Sequence, residues 1–195
     1  MGTFAQLAIY FVQTLGSLCL LVLLLRLLMQ LCRVSFLNPI VQFVYKATQP
    51  LLAPLRRIFP AFRSFDTASL IMALLVQWLV IQATLAIAGV GPARAVASLS
   101  WAGLGLLSLL LDIYFYGLIA VVILSWVAPG NRHPLASLLD ELMEPVMAPF
   151  RRVIPNMGGI DLSPILMFLV INMLRIFVAN MAATVELPPA IVPGI

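Results

Sequence analysis

The chain contains one segment twice, and the two copies are 95 residues apart with no gap between their alignments. The copies are residues 50–60 and 145–155, and each holds three prolines and a pair of arginines at identical spacing. The same register pairs two positions outside the segment, Pro39 with Pro134 and Asp66 with Asp161. A repeat at a fixed period predicts a duplicated structural unit, so the chain is expected to fold as two copies of one motif.

The sequence around the copies is apolar enough to exclude an ordinary soluble domain. The chain is 63% hydrophobic and 9% charged, whereas a soluble domain has about 25% charged residues. A helix that crosses a bilayer needs about 20 apolar residues. Four stretches meet this requirement and predict spans at 5–31, 67–89, 103–128 and 164–184. The first is expected to remain as a membrane helix, because it lacks the basic start and short apolar run of a signal peptide.

The four spans divide into two helical hairpins, each with a long middle loop. The first repeat, residues 1–94, comprises the span 5–31, the loop 33–66 and the span 67–89. The second repeat, residues 95–195, comprises the span 103–128, the loop 129–163 and the span 164–184. Each repeat has an even number of spans, so the two have the same orientation and are related by a pseudo-twofold axis along the membrane normal. We predict an all-α membrane protein built from two parallel hairpin repeats.

Both long loops carry an apolar stripe with helical spacing. The stripes are Ile40, Phe43, Val44 and Ala47 in the first loop and Leu135, Leu138, Leu139 and Leu142 in the second. Each stripe follows a proline, which suits the first position of a helix because no hydrogen bond is lost there. The pattern predicts a short amphipathic helix in the plane of the membrane interface, followed by a second short element at 50–59 and at 145–154.

Basic residues are concentrated on one side of the predicted topology. Eight lie in or beside the two long loops, against Arg94 alone on the other side. The positive-inside rule therefore places both loops in the cytoplasm and both termini outside. The eight are Arg33, Lys46, Arg56, Arg57, Arg63, Arg132, Arg151 and Arg152. They are few and lie among apolar residues, so we do not interpret the formal charge of +4 as a sign of nucleic-acid binding.

Residues 48–57 and 155–164 strongly resemble the YggT family of small integral membrane proteins in its two-repeat, bacterial form. Arg26, the pair Asn38-Pro39 and the pair Ser125-Trp126 also stand where that family's pattern places them. The resemblance covers essentially the whole chain. It implies a multi-pass protein of the bacterial inner membrane, from a group linked to cell division, osmotic tolerance and organelle membrane assembly without an agreed molecular activity.

The paired arginines with their prolines are the first candidate site. We consider three roles: topology determinants that reach back to the interface, a binding site for anionic lipid headgroups, and a docking site for a membrane-protein partner. The residues are Arg56, Arg57, Arg151, Arg152, Pro54 and Pro149. Arg26, within the first span, is expected to reach the cytoplasmic interface unaided.

A second group has the chemistry of a helix start. Glycine permits a left-handed turn, aspartate or serine caps a helix, and proline suits its first turn. These residues are Gly158, Gly159, Asp66, Asp161, Ser163 and Pro164. The first copy departs from the pattern, with Arg63-Ser64 at the position of the two glycines. If the glycine turn carries activity, only the second copy is complete.

Two charges lie inside predicted spans, Asp112 in the third and Arg175 in the fourth. Charges at this depth are costly, so we expect an ion pair between the helices, with ion conduction or gating and independent snorkelling as the alternatives. Lys46 and Glu141 are equivalent positions of the two copies and carry opposite charges. This predicts an ion pair between them across the pseudo-twofold axis.

The residue inventory does not favour an enzyme. His133 is the only histidine, and no nucleophile–base pair or metal-ligand cluster stands out, so no cofactor or metal is expected. The leading hypothesis is a non-enzymatic organising or assembly factor that binds anionic lipids, a membrane-protein partner or a second copy of itself, and no nucleic acid. The alternative is a small channel or transporter component. Its pore would be lined by Gln13, Thr14, Gln77, Gln82, Asp112, Asn172 and Arg175, provided that these converge on one seam.

Overall fold

The described part of the chain is built from helices, which confirms the predicted all-α class. The structure, a computed structural model, describes residues 2–59, 65–91, 95–127, 133–153, 161–185 and 192–194. Within these residues there are six helices: α1 Thr3–Leu31, α2 Pro39–Ile58, α3 Thr67–Ala88, α4 Ala95–Val127, α5 Pro134–Val153 and α6 Ser163–Thr184.

Four of the helices, α1, α3, α4 and α6, are long and apolar enough to cross a membrane. Large apolar side chains are exposed along them, including Phe4 (89%), Leu79 (57%) and Ile176 (63%). A water-soluble protein rarely leaves so extensive an apolar surface uncovered, whereas a bilayer covers it. These helices fit a membrane protein with four spans.

Helix α4 begins earlier than the predicted span, at Ala95 instead of residue 103. Hydrogen bonds to neighbouring segments hold its first turns. Trp78 Nε1 donates to Ser98 Oγ at 2.9 Å, and Trp101 Nε1 donates to the Val185 carbonyl at 3.1 Å. These tertiary contacts lie in the two turns that precede the predicted boundary.

The two repeats have matching elements and matching packing. Helix α2 and helix α5 have the same bounds after a shift of 95 residues. In the first repeat α1, α2 and α3 pack on one another, as α4, α5 and α6 do in the second. Helices α1 and α3 pack closely where Gly16 faces Val80, since a Cβ atom at position 16 would collide with the valine side chain.

The repeats contact each other along α3 and α4, and again where α2 and α5 begin. Asn38 caps α2 by accepting from the Ile40 backbone N–H, and its amide nitrogen donates to the Pro134 carbonyl at 2.7 Å. A shared apolar core lies beside this contact. It contains Leu28, Met29, Val41 and Val44 from the first repeat and Leu118, Leu138, Leu142, Met143, Met147, Met167 and Ile171 from the second.

The prediction of two short elements in each loop is wrong, because α2 and α5 each continue through two internal prolines. Pro50 and Pro54 are one turn apart on the exposed side of α2, and Pro145 and Pro149 occupy the same side of α5. The hydrogen bonds that proline removes are therefore missing from the outer side only. The opposite side of α2 packs without interruption, since Val44, Thr48 and Leu52 are all buried.

Candidate functional site

The candidate site lies at the end of the bundle where the long loops meet the spans, and its centre in the first repeat is a buried arginine. Arg26 of α1 has no exposed surface. Its Nη1 donates to the Tyr45 carbonyl at 3.1 Å and to Thr48 Oγ1 at 2.5 Å, and its Nη2 donates to Gln49 Oε1 at 3.0 Å. The guanidinium carbon also lies 4.3 Å from the centre of the Tyr45 ring. The expectation that Arg26 snorkels to the interface is therefore wrong.

The Thr48-Gln49 sequence explains why α2 can receive this guanidinium. Thr48 and Gln49 add side-chain oxygens to the turn of α2 that faces Arg26. A buried guanidinium needs several acceptors at once, and this turn of α2 provides three.

Asp66, at the N-terminus of α3, completes the first-repeat cluster and is also fully buried. It accepts from Ser69 Oγ at 2.8 Å and from Arg56 Nη2 at 2.5 Å, and its Oδ2 lies 3.5 Å from Arg26 Nε. Burial alone would raise the pKa of Asp66, but the hydrogen bonds from Ser69 and Arg56 outweigh it and hold the pKa below its ordinary value. An ionised Asp66 thus links all three helices of the first repeat.

The second repeat has an aspartate at the equivalent position, Asp161, which lies just before the N-cap residue of α6 and has different partners. Arg151 donates from Nε to Asp161 Oδ2 at 3.1 Å and from Nη1 to Glu144 at 2.5 Å. Asp161 Oδ1 accepts from the Ser163 backbone N–H at 2.9 Å, so it satisfies the first turn of α6. Burial would raise the pKa of Asp161, but hydrogen bonds from Ser163 and then from Arg151 lower it below its usual value. Pro164 follows in the first turn of α6, as predicted, and Gly158 and Gly159 lie outside the described residues.

The structure divides each arginine pair into two different environments. Arg56 and Arg151 are bonded to Asp66 and Asp161, although Arg151 stays 42% exposed, whereas Arg57 and Arg152 are exposed and form no ion pair among the described residues. Pro54 and Pro149 are also exposed, each within the turn that precedes its arginine pair. The second arginine of each pair therefore has no carboxylate partner among the described residues, which makes it the better candidate to bind a partner or a lipid.

The two intramembrane charges lie together. Arg175 Nη2 of α6 is 2.7 Å from Asp112 Oδ1 of α4, and the guanidinium carbon lies 4.8 Å from the centre of the Phe115 ring. The other predicted ion pair is wrong. Glu141 accepts instead from the Ser35 backbone N–H at 2.8 Å, and among the described residues Lys46 forms no ion pair.

The polar side chains proposed for a pore do not converge on one seam. Gln13, Thr14 and Asp112 line a cavity of about 860 Å³ between α1 and α4. Arg175 is paired with Asp112, and Gln77 donates to the carbonyl of Pro193, which also lines this cavity. Gln82 and Asn172 lie elsewhere, since Gln82 donates to Ser98 and Asn172 donates to the Phe168 carbonyl of its own helix.

The hydrogen-bond acceptors around Arg26 were not predicted from the sequence. Tyr45, Thr48 and Gln49 were not considered as partners of a residue 19 to 23 positions earlier. The available signal was that Arg26 and Thr48-Gln49 occur in the first copy only, since the equivalent residues are Val121, Met143 and Glu144.

The fold and the site define a class of small helical membrane protein. Two hairpin repeats each place an arginine of the loop helix on the aspartate that starts the returning span. The chain belongs to the CCB3/YggT family, whose model matches it twice, at residues 5–87 and 100–182.

Relatives of the chain are similar over most of its length. An uncharacterized protein of Pseudomonas aeruginosa is 46% identical over 183 residues, which cover 93% of each chain. An Escherichia coli protein named Uncharacterized protein YggT is 36% identical over 171 residues, which cover 88% of each chain. A protein of Arabidopsis thaliana named YlmG homolog protein 2, chloroplastic, is 40% identical over 103 residues, covering 53% of this chain and 39% of that one. None of these three names is that of an enzyme, and no solved structure matches the chain significantly.

Proposed function

We propose that the protein is a non-enzymatic organising or assembly factor of the bacterial inner membrane that binds anionic lipid headgroups through Arg57 and Arg152. The observation that carries the proposal is the division of the arginine pairs. Arg56 and Arg151 hold the loop helices to the spans, and this leaves an equivalent exposed guanidinium beside each. A guanidinium that serves only the fold would be expected to have a protein partner. Arg57 and Arg152 form no ion pair with any residue that the structure describes.

The position of the pair suits a lipid surface. Both arginines lie in the last turn of an amphipathic loop helix whose prolines face outward. With both loops in the cytoplasm, as the distribution of basic residues predicts, they lie beside the leaflet that carries anionic lipids. Each basic residue near such a surface contributes about 1 kcal/mol, so the two together contribute about 2 kcal/mol.

The test compares three single charge reversals, Arg57→Glu, Arg152→Glu and Lys46→Glu, after purification in mild detergent. Lys46 is an exposed base on α2 outside the pairs, so it is the matched control for net charge. We expect the first two variants to lose co-purifying phosphatidylglycerol and cardiolipin, measured by mass spectrometry of the bound lipid, and Lys46→Glu to retain it. Equal lipid content in the three variants and the unaltered protein would contradict the proposal. The exposed arginines would then have only a topological role.

A membrane-protein partner and a channel remain the competing functions. Loss of one co-purifying protein from the two arginine variants, with unchanged lipid, would assign the pairs to a protein interface. For the channel or transporter alternative, the cavity between α1 and α4 has only part of the proposed polar lining, and Arg175 is paired with Asp112. The cell processes implied by the resemblance, division and osmotic tolerance, are compatible with either function.

A further inference from the structure

We propose that the second repeat contains an open binding site for the ammonium headgroup of an amino-phospholipid of the phosphatidylethanolamine type, at the position that Arg26 fills in the first repeat. The two repeats superimpose in sequence with a shift of 95 residues, so the surroundings of Arg26 can be compared position by position. The proposal does not depend on lipid binding by Arg57 and Arg152, which are exposed on the loop helices.

In the first repeat the residues around this position bind a cation, the guanidinium of Arg26. A guanidinium from α1 is bonded to the carbonyl of residue 45 and to the side chain of residue 49, and it lies beside the carboxylate of residue 66. The same three positions in the second repeat are Asp140, Glu144 and Asp161. All three carry carboxylates, so the second repeat has more negative charge than the first around the same place. These carboxylates are more exposed than the cluster around Arg26, since Asp140 and Glu144 are exposed and Asp161 is partly exposed.

The cation itself is missing from the second repeat, because the residue equivalent to Arg26 is Val121. The truncated side chain leaves space. A cavity of about 340 Å³ is lined by Val121, Asp140, Glu144 and Arg151. A second cavity of about 540 Å³ also touches Val121 and Arg151 and reaches Asp161.

The charges of the two clusters differ in sign. The first has Arg26 and Arg56 against Asp66, a formal sum of +1. The second has Arg151 against three carboxylates, a formal sum of −2. Arg151 already bonds to Glu144 and Asp161, and Asp140 has no ion-pair partner among the described residues. A donor with several N–H groups and one positive charge therefore complements the second site.

The surroundings of the larger cavity favour a lipid as the source of this cation. Its outer wall is apolar and includes Val122, Trp126, Ile165 and Phe168. Trp126 and Ile165 are 84% and 66% exposed, so the cavity opens onto the apolar surface of α4 and α6. A molecule that combines an ammonium group with hydrocarbon chains matches both the carboxylates and this apolar wall. Tryptophan is also typical of the membrane–water interface, which is the depth at which a lipid headgroup lies.

The test measures the melting temperature of the purified protein with three added lipids that have the same acyl chains. Phosphatidylethanolamine has three N–H donors, phosphatidylcholine has the same charge and no N–H donor, and phosphatidylglycerol has no cation. We expect phosphatidylethanolamine to raise the melting temperature by several degrees more than either of the others, because a ligand that binds only the folded state stabilises it.

Two variants and one control connect this preference to the site. Val121→Arg provides the missing guanidinium from the protein itself and is expected to abolish the preference while raising the melting temperature without lipid. Asp140→Asn combined with Glu144→Gln removes two carboxylates. In this double variant the rise in melting temperature with phosphatidylethanolamine is expected to fall to the rise seen with phosphatidylcholine. Glu141→Gln, on the same helix but bonded to Ser35, is expected to retain the preference.

Three results would overturn the proposal. Equal stabilisation of the unaltered protein by phosphatidylethanolamine and phosphatidylcholine would show that the N–H donors are not recognised. A preference that persists in the double variant Asp140→Asn/Glu144→Gln would place lipid recognition elsewhere, and this result does not require that Val121→Arg folds. Absence of the preference, together with a co-purifying protein that Val121→Arg releases, would assign the site to a cation from a protein partner.

Discussion

Arg26 of α1 and Asp66 at the start of α3 lie 3.5 Å apart, and both side chains have no exposed surface. The pair is supported on one side by Arg56 and on the other by the oxygens of Tyr45, Thr48 and Gln49. It therefore connects both spans of the first repeat to the loop helix between them. In the second repeat Arg151 connects the loop helix only to the start of α6, in a more exposed position.

Arg26→Ala is expected to destabilise the protein by about 3–5 kcal/mol, because removing one partner leaves a buried carboxylate and several buried acceptors without their donor. The measurement is denaturant or thermal unfolding in detergent. Arg57→Ala is the matched control, since Arg57 is exposed, and it is expected to change stability by less than about 0.5 kcal/mol. Similar losses in the two variants would contradict the assignment of Arg26 as the centre of the cluster.

Stability is expected to fall in acid, and Asp66 is expected to contribute to the loss. Its pKa is lower in the folded state than the unfolded value of about 3.9, so the folded state favours the carboxylate. The stabilisation is complete above the unfolded pKa and is lost as the pH falls through the folded pKa. Asp161 has a shift in the same direction but is partly exposed.

Melting temperatures measured between pH 7 and pH 3 check this expectation. Asp66→Asn should lower the melting temperature at neutral pH and flatten its decline in acid. Asp161→Asn should flatten it less, because its carboxylate is better hydrated. An unchanged acid profile in Asp66→Asn would contradict the assignment.

The Asp112–Arg175 pair is expected to act as a lock between α4 and α6. An unpaired charge near the centre of a span costs about 2.5–3.5 kcal/mol on insertion scales. Asp112→Ala or Arg175→Ala alone should therefore lower the level of protein in the membrane, and the double variant should restore much of it. If both single variants accumulate normally and lose an osmotic or ion-dependent phenotype, the transport alternative is favoured.

Gly16 is expected to set the distance between α1 and α3. Gly16→Leu should destabilise the protein by about 1–3 kcal/mol, because the new side chain would occupy the space of Val80. Combining it with Val80→Ala should recover part of the loss. Gly103→Ala is the control, since a Cβ atom at that position meets no atom within 4 Å. Equal effects at the two glycines would show that helix propensity, and not packing, is responsible.

The topology prediction places both termini in the periplasm and both arginine-containing loops in the cytoplasm. Its reason is the ratio of eight basic residues to one between the two sides. A reporter active only in the periplasm, fused after Ile195, should be active, and a cytoplasmic reporter at the same position should be inactive. The reverse pattern would contradict the topology and with it the position of Arg57 and Arg152 beside the cytoplasmic leaflet.

The helices were largely predictable because they depend on patterns that are local in sequence. The start of α3 follows from Asp66 as a cap, and the start of α2 follows from Asn38 and Pro39. The continuation of α2 through Pro50 was not predictable from propensity. It depends on which side of the helix is buried, and that is decided by contacts with α1 and α3.

The sequence by itself determined the number of spans and the two-repeat plan, because hydropathy and the 95-residue register express them directly. Only the tertiary structure decided how individual charges are used. It buried Arg26, divided each arginine pair into a bonded and an exposed member, and left a cavity beside Val121. The physical reason is that the cost of a charge depends on its solvation and partners, and these come from helices that are distant in sequence.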